Sequence, residues 1–488
     1  MSRAGAVEDA DAVLVGGGIM SVTLGLLLAR LQPGWRIVLV ESRSEPATES
    51  SAAWNNAGTG HAGYCELNYM PDPEDPSKAH GVASQFMLSR EWWAGLVAEG
   101  VLSPAAFIHR APHLALVFGE RNAAYLRRRW EVLRSDPLFA AMEFTTVADE
   151  IAQWAPLTMR GRRRAVVAAT RHSAGTDLDY GALTRQLAAA FAARGGELRA
   201  GYRVRGIRRL APRRWSVTAR TPERDVTFRT RFVFVGAGGA TLPLLQTARI
   251  PEIDGFGVLP VGAAFYRCAV SEVVAEHAVK VYGQAAPGAP PMSIPHLDRR
   301  TVDGAAQLMF GPYATFSTKL LKHGRLTDAP ATLRPGNASV VASAVARNLS
   351  VVGYLVRQLL ASDAALFGQL QQLYPSAERD QWELIHAGQR AQIVAPDAGR
   401  GLRGGRLQFW GTRRVITADR SLAGLLGASP GASTSVAAMI ELLSRCFPEH
   451  WPRWQAALQQ TIPGLGRDRW THQQVEQSLA ATDAALAL

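Results

Sequence analysis

Two apolar runs near the N terminus, Asp11-Ala12-Val13-Leu14-Val15 and Arg36-Ile37-Val38-Leu39-Val40-Glu41, have polar residues only at their ends. Unbroken runs of this length suit strands buried on both faces. Between them lies a helical stretch beginning near Ile19, so the segment predicts a β-α-β unit. Downstream, Ser84 to Leu102 places Phe86, Trp93 and Leu96 at helical spacing, and Tyr180 to Arg194 is an alanine-rich helix starting after Asp177-Leu178-Asp179. Arg203 to Val217 and Val226 to Val235 read as strands, and Ser435 to Arg445 as an apolar helix. Proline-rich turns at Pro71 to Pro76 and around Ala285 to Pro295 are loops within a compact body.

The first run turns into its helix through Gly16-Gly17-Gly18-Ile19-Met20-Ser21. Gly16 permits the tight turn, Gly18 lets a pyrophosphate reach backbone amides at the helix start, and Ser21 is small enough for helix and strand to pack closely. Glu41, at the end of the second strand, is placed to accept hydrogen bonds from a ribose without a 2′-phosphate. The run Arg231 to Val235 enters a second glycine turn, Gly236-Ala237-Gly238-Gly239-Ala240. Two such turns far apart in one chain predict a discontinuous cofactor domain, which favours FAD over a nicotinamide. A third small-residue segment, Leu425 to Thr434, precedes the Ser435 helix, whose positive end would stabilise charge on a flavin ring edge.

Length narrows the class: 488 residues with 47% hydrophobic content suit a large enzyme of more than one folding unit. No long uncharged apolar run predicts a membrane span, and the N terminus lacks the pattern of a secretory signal. Cys65, Cys268 and Cys446 are scattered, which predicts neither a disulfide framework nor a metal site and fits a reducing, cytoplasmic setting. The charge of +12 raises the question of nucleic acid. All but four of the 53 basic residues are arginine, however, and Arg127-Arg128-Arg129 and Arg162-Arg163-Arg164 lack interleaved aromatics, so no nucleic-acid partner is expected. Such a field would still attract anionic substrates and an anionic membrane surface.

The block Trp54-Asn55-Asn56-Ala57-Gly58-Thr59-Gly60-His61-Ala62 is too polar and glycine-rich to be core. With Cys65-Glu66-Leu67-Asn68-Tyr69, Gly175-Thr176-Asp177, Pro291 to Asp298, Phe310-Gly311-Pro312, Phe316 to Lys319, Ala387-Gly388-Gln389-Arg390 and Leu425 to Thr434, it resembles malate:quinone oxidoreductases, in order from residue 11 to about 446. The resemblance implies a membrane-peripheral flavoprotein that oxidises (S)-malate to oxaloacetate with FAD and passes electrons to a membrane quinone. It also implies an α/β (α+β) fold: a Rossmann-like FAD domain of the glutathione-reductase/D-amino-acid-oxidase type, interleaved with a substrate domain on a mainly antiparallel sheet. The expected division is 8–80, 171–250 and 386–450 for the FAD domain, 81–170 and 251–385 for the substrate domain, and 451–488 as a C-terminal helical extension.

Malate oxidation needs a base for the hydroxyl and cations or donors for two carboxylates. His296, ending a proline-bounded segment, is the expected base, with His61 as the alternative or as a substrate or flavin contact. Arg390 is the expected carboxylate clamp, with Gln389, Lys319 and Tyr313 as further substrate contacts. Cofactor contacts are expected from Gly16, Gly18, Ser21, Glu41, Asn55, Asn56, Gly58, Thr59, Gly236, Gly238, Gly427, Ser429, Pro430, Gly431 and Ser433. The apolar pair Trp92-Trp93 reads as core, with a membrane face as its other use. A related FAD enzyme acting on another 2-hydroxy acid, an oxidase using oxygen, and a non-catalytic nucleotide-binding protein are the competing readings.

Overall fold

Alternate residues of the buried strands serve two different cores, which is why their sequences show no polar face. In a computed structural model describing residues 6–163, 165–284, 294–397, 404–408, 411–427 and 431–488, Ala12, Leu14, Leu39, Phe232 and Phe234 point to one side of a sheet. There they meet the helices Ile19–Leu31, Tyr180–Ala193 and Ser435–Cys446. Val13, Val15, Val38, Val40, Val233 and Val235 point to the other, against Trp215, Leu242 and Leu245.

That sheet has eight strands. Its path runs Arg413–Ile416, Leu422–Leu426, Asp225–Val235, Ala6–Val15, Ile37–Glu41, Glu197–Ala200, all parallel except the first pair. The antiparallel strands Arg214–Arg220 and Arg203–Ala211 branch from Asp225–Val235. The single strand expected over Arg203 to Val217 is thus a hairpin, because Pro212 has no N–H to donate and Arg213 turns at φ 52°.

The second sheet has nine strands in the order Gly405–Gln408, Glu383–Pro396, Gly257–Cys268, Ala305–Thr315, His296–Val302, Lys280–Tyr282, His113–Phe118, Val167–His172, Glu143–Thr145. All neighbours are antiparallel except Lys280–Tyr282 with His113–Phe118. One face is apolar: Ala264, Tyr266, Leu297, Leu308 and Phe310 pack under Phe367, Leu370 and Leu373 of the helix Asp363–Leu373. The other face carries the functional side chains. The expected boundary at 386 falls inside Glu383–Pro396, which pairs along its length with Gly257–Cys268, and the chain re-enters the first sheet only at Arg413.

Helix Ser77–Ala98 begins seven residues before the periodic stretch and packs against Ser435–Cys446 and His472–Leu486. Trp92 and Trp93 lie wholly inside that core. The terminal helix is fastened by Asp483, which pairs with the buried Arg90 and, at 2.9 Å, with Arg110. Among the described residues no single helix is long and apolar enough to cross a membrane.

The two glycine turns meet back to back. Strands Ala6–Val15 and Asp225–Val235 align Val15 with Val235, and the Gly236 N–H donates to the Val15 carbonyl at 2.9 Å. Gly16 has φ +100°, and a Cβ there would lie 2.7 Å from the Gly236 oxygen. Gly16→Ala therefore combines a strained backbone with a clash, and is expected to cost roughly 1–3 kcal/mol. An unchanged thermal unfolding midpoint would show that the turn tolerates a side chain.

Candidate active site

A single cavity of ≈ 780 Å³ runs between the two sheets, from the fingerprint turn at one end to His296 at the other. Its walls at the first end come from Gly16, Gly18, Glu41, Gly236 and Gly238, and further along from Asn55, Asn56, Gly58, Thr59, Gly427, Gly431 and Ser433. Ser429 and Pro430 lie outside the described residues. Ser21 does not reach the cavity: fully buried, its hydroxyl points to the Val15 carbonyl and a Cβ on Gly236 would sit 2.3 Å from it. It packs helix on strand.

Several of these groups already have work within the chain. Glu41 Oε2 accepts from the Gly17 N–H at 2.6 Å and Oε1 from the Arg43 N–H at 2.7 Å, so the acid shapes the turn it borders. Ser51, which sequence reading passed over, accepts from the Ile19 N–H at 3.0 Å and caps the fingerprint helix from a distant loop. Asn56 donates to Ser50 and Ala52 carbonyls while its Oδ1 accepts from the Gly58 N–H; Asn55 donates to the Glu49 carbonyl and accepts from Lys322 Nζ at 2.9 Å. The asparagines thus fold the loop that forms the wall. The volume is within the roughly 300–1,000 Å³ of cofactor and ligand sites, and two glycine turns give an anionic group access to backbone. These residues fit FAD.

Beneath the loop runs a buried chain of charges. Strand alternation puts His296, Asp298 and Arg300 on one face, and sheet register sets Lys280 opposite Asp298 and Tyr282 opposite His296. His296 Nδ1 lies 2.8 Å from Asp298 Oδ2, Lys280 Nζ is 3.5 Å from that oxygen and 2.8 Å from Asp177 Oδ1, and Arg300 Nε is 2.9 Å from the same Asp177 oxygen. Lys280 also donates to the Ala57 carbonyl and Arg300 to the Asn56 carbonyl, so the chain of charges holds the loop's shape. Gly58 is dictated by this contact: its φ is +61°, and a Cβ would fall 2.3 Å from the Arg300 guanidinium carbon. Burial alone would raise the Asp298 carboxyl, but His296, Lys280 and Arg300 outweigh it and hold it down to about 2.

His296 stacks on Tyr282 with centroids 4.5 Å apart, and Tyr282 shares a hydrogen bond with Thr59 at 2.8 Å. His61 lines the same end, edge-on to Tyr69 and Tyr282. Burial, reinforced by His113, His296 and Lys280, lowers the His61 imidazole to about 3. Glu66 also lines the cavity, and its carboxyl is pushed up to about 6 by burial against the pull of the Asn68 N–H and His296.

On the opposite wall the pairing of Gly262 with Gln389 and of Ala264 with His386 leaves two residues of one strand, Ala387 and Gly388, facing one of the other. This bulge lets Gly388 press on Asn55; beyond it Gln389 and Arg390 pair in regular register with Gly262 and Val261, both border the cavity, and the Gln389 amide lies against Gly262. Among the described residues no carboxylate lies within ion-pair distance of Arg390, and the buried Gln389 Oε1 has no hydrogen-bond partner. Burial lowers the Arg390 pKa from its ordinary value.

Two expected contacts stand elsewhere. Tyr313 pairs with Ala264, on the apolar face of the sheet, and donates to the Leu366 carbonyl at 2.7 Å. Lys319 is not part of the cavity wall; its near neighbour Lys322 reaches the loop, at Asn55. Asp298, Lys280, Asp177, Arg300, Glu66 and Tyr282 escaped the residue-by-residue reading. The polar alternation His296, Asp298, Arg300 was its one local signal.

The sheet pair and shared cavity define an FAD-dependent oxidoreductase fold. It is similar to the L-alpha-glycerophosphate oxidase of Mycoplasma pneumoniae, with TM-score 0.60 and 17% identity over 90% of this chain and 94% of that one. The glycine oxidase of Geobacillus kaustophilus gives TM-score 0.59 and 15% identity over 90% and 95%. Within that class a family model of malate:quinone oxidoreductase matches residues 8–488. Probable malate:quinone oxidoreductases of Leifsonia xyli subsp. xyli and Micrococcus luteus are 49% and 47% identical to it, covering 94% and 98% of both chains. This chain belongs to the malate:quinone oxidoreductase family.

Removing Lys280 would leave Asp177 and Asp298 buried with one cation fewer. Lys280→Met is expected to lower stability by about 3–5 kcal/mol in denaturant unfolding; a loss below about 1 kcal/mol would mean that solvent or rearrangement compensates the carboxylates.

Proposed function

We propose that this chain oxidises (S)-malate to oxaloacetate, with FAD as cofactor and a membrane quinone as final acceptor, as a peripheral protein on the inner face of the cytoplasmic membrane. Family membership supports the substrate and acceptor. The observation that carries the site assignment is the Arg390 guanidinium, with no carboxylate in ion-pair distance among the described residues, sharing one cavity with a carboxylate-braced imidazole. FAD, when bound, supplies the N5 acceptor for the hydride leaving C2 and hands the electrons to the quinone.

The chain's own part is proton transfer and positioning. His296 takes the malate hydroxyl proton on Nε2, while Asp298 braces Nδ1 and opposes the positive charge that results. Asp298 is a positioning residue: it acts through the imidazole. His61, lowered to about 3 by burial, holds a proton weakly and serves better as a hydrogen-bond partner than as the base. Arg390 grips one carboxylate at two points and the Gln389 amide turns a donor toward the substrate. Tyr282 packs flat on the imidazole and keeps water from one side of it.

The test is anaerobic visible absorbance of the FAD-loaded protein. Malate should bleach the flavin bands and a soluble quinone should restore them; bands that ignore malate but respond to another 2-hydroxy acid would reassign the substrate, and recovery on oxygen alone would reassign the acceptor. With the FAD spectrum retained, His296→Ala should slow malate-driven bleaching by about 10²-fold or more. Arg390→Ala should chiefly raise the malate concentration needed for half-saturation. Near-normal bleaching in the first, or unchanged saturation in the second, would remove that residue from its role.

Glu66 adds a pH dependence. Its raised pKa means that it is protonated below about pH 6 and ionised above, so a dianion should meet an extra negative charge as pH rises through that value. The malate KM is expected to rise across this window, and Glu66→Gln to flatten the rise. Identical KM profiles for the two proteins would exclude Glu66 from substrate binding.

A further inference from the structure

Seven of the eleven exposed large hydrophobic side chains among the described residues lie between 316 and 360: Phe316, Leu326, Leu333, Leu349, Val356, Leu359 and Leu360. The other four are scattered singly. The helix Leu349–Leu359 follows Pro335–Arg347 at a bend of 77°, and the pair together is apolar enough to pass for a broken span. Soluble surfaces rarely concentrate apolar groups in this way.

The second helix is apolar on two sides. Leu349, 66% exposed, shares the outer side with Val356 and Leu359, and Leu360, 78% exposed, follows directly. Val351 and Leu355 point inward and line the cavity that also holds His296 and Arg390. One turn of helix therefore separates an open apolar surface from the interior of the site. The same stretch, 316–360, holds six basic residues and one acid. Arg347 is the one of the six with an ion pair among the described residues, to Asp397 at 3.6 Å, and the lone acid, Asp328, accepts the Arg325 N–H.

We infer that this bent pair is the surface by which the chain sits on an anionic lipid bilayer, and that the helix Leu349–Leu359 is the wall past which a lipid-borne quinone reaches the cavity. The first clause rests on the membrane association proposed above and the second on the quinone acceptor. Exposed apolar residues in a stretch with more cations than acids, of which Lys322 is turned inward to Asn55, suit the boundary between acidic headgroups and acyl chains. A second copy of the chain fits poorly, because a two-fold contact would set this basic patch against itself.

The experiment is cosedimentation of the FAD-loaded protein with vesicles of phosphatidylglycerol and phosphatidylcholine, with no malate present. The wild type should pellet, more weakly with pure phosphatidylcholine and at high salt. The triple variant Leu349→Glu, Leu359→Glu, Leu360→Glu should bind roughly 10-fold or more weakly, because charges replace its apolar contacts. Its flavin spectrum and malate turnover with a water-soluble quinone should be unchanged, and turnover with a long-chain quinone in the vesicles lost. Wild-type protein that stays in the supernatant, or a variant that pellets equally, overturns the docking surface. Self-association without lipid that the variant abolishes assigns the face to a second copy instead. A variant detached from vesicles yet fully active with the long-chain quinone overturns the quinone wall. Protein that pellets but leaves malate untouched would fail the proposed function and not the docking surface.

Discussion

The alternating line of charge from Asp298 through Lys280 and Asp177 to Arg300 is the constraint on which the site depends. Two carboxylates face two cations with almost no solvent, and the line is electrically closed before His296 is counted. Such clusters contribute little net stability compared with apolar packing, because desolvation offsets the attraction. What they fix is geometry. Each cation also donates to a carbonyl of the loop carrying Asn56 and Ala57, so the loop that forms the cavity wall is positioned by the strands that position the imidazole. A shift in either would separate charges where solvent cannot compensate them.

The first sheet was largely legible because its signals are local. Unbroken apolar runs, a glycine turn and an acid at the end of the next strand sit within one stretch of about forty residues, and each reflects one backbone requirement. The hairpin at Pro212-Arg213 is not legible as one because its turn, Ala211 to Arg214, holds no glycine, and the proline that ends backbone donation is its single mark. The boundary expected at 386 has no local mark in the fold, because the strand Glu383–Pro396 runs through it paired with Gly257–Cys268 on both sides of a bulge.

Site residues were legible where one side chain's chemistry suffices. Arg390 and Gln389, expected from the chemistry of their side chains, both border the cavity. Tyr313 was misassigned because the strand's alternation, set by its pairing with Ala264, sends it to the apolar face. Lys280 and Tyr282 left no trace in any local pattern: their partners Asp298 and His296 come from a different strand, and only sheet register brings them together. Glu66 stands in the block Cys65-Glu66-Leu67-Asn68-Tyr69, but its raised pKa arises from burial, which no motif encodes.

The contact of Gly16 with Gly236 has a consequence for how the protein is made. A chain emerging from the ribosome carries its complete fingerprint long before the strand that ends at Val235 exists, and that strand lies between the fingerprint strand and Leu422–Leu426 in the finished sheet. Half of a nucleotide cradle therefore waits, its central strand edge open, for segments some two hundred and four hundred residues away. Cofactor capture is in this sense a proofreading of topology: a ligand that needs both glycine turns binds the chain whose distant parts have found each other, and by mass action withdraws that arrangement from the pool of partly folded ones.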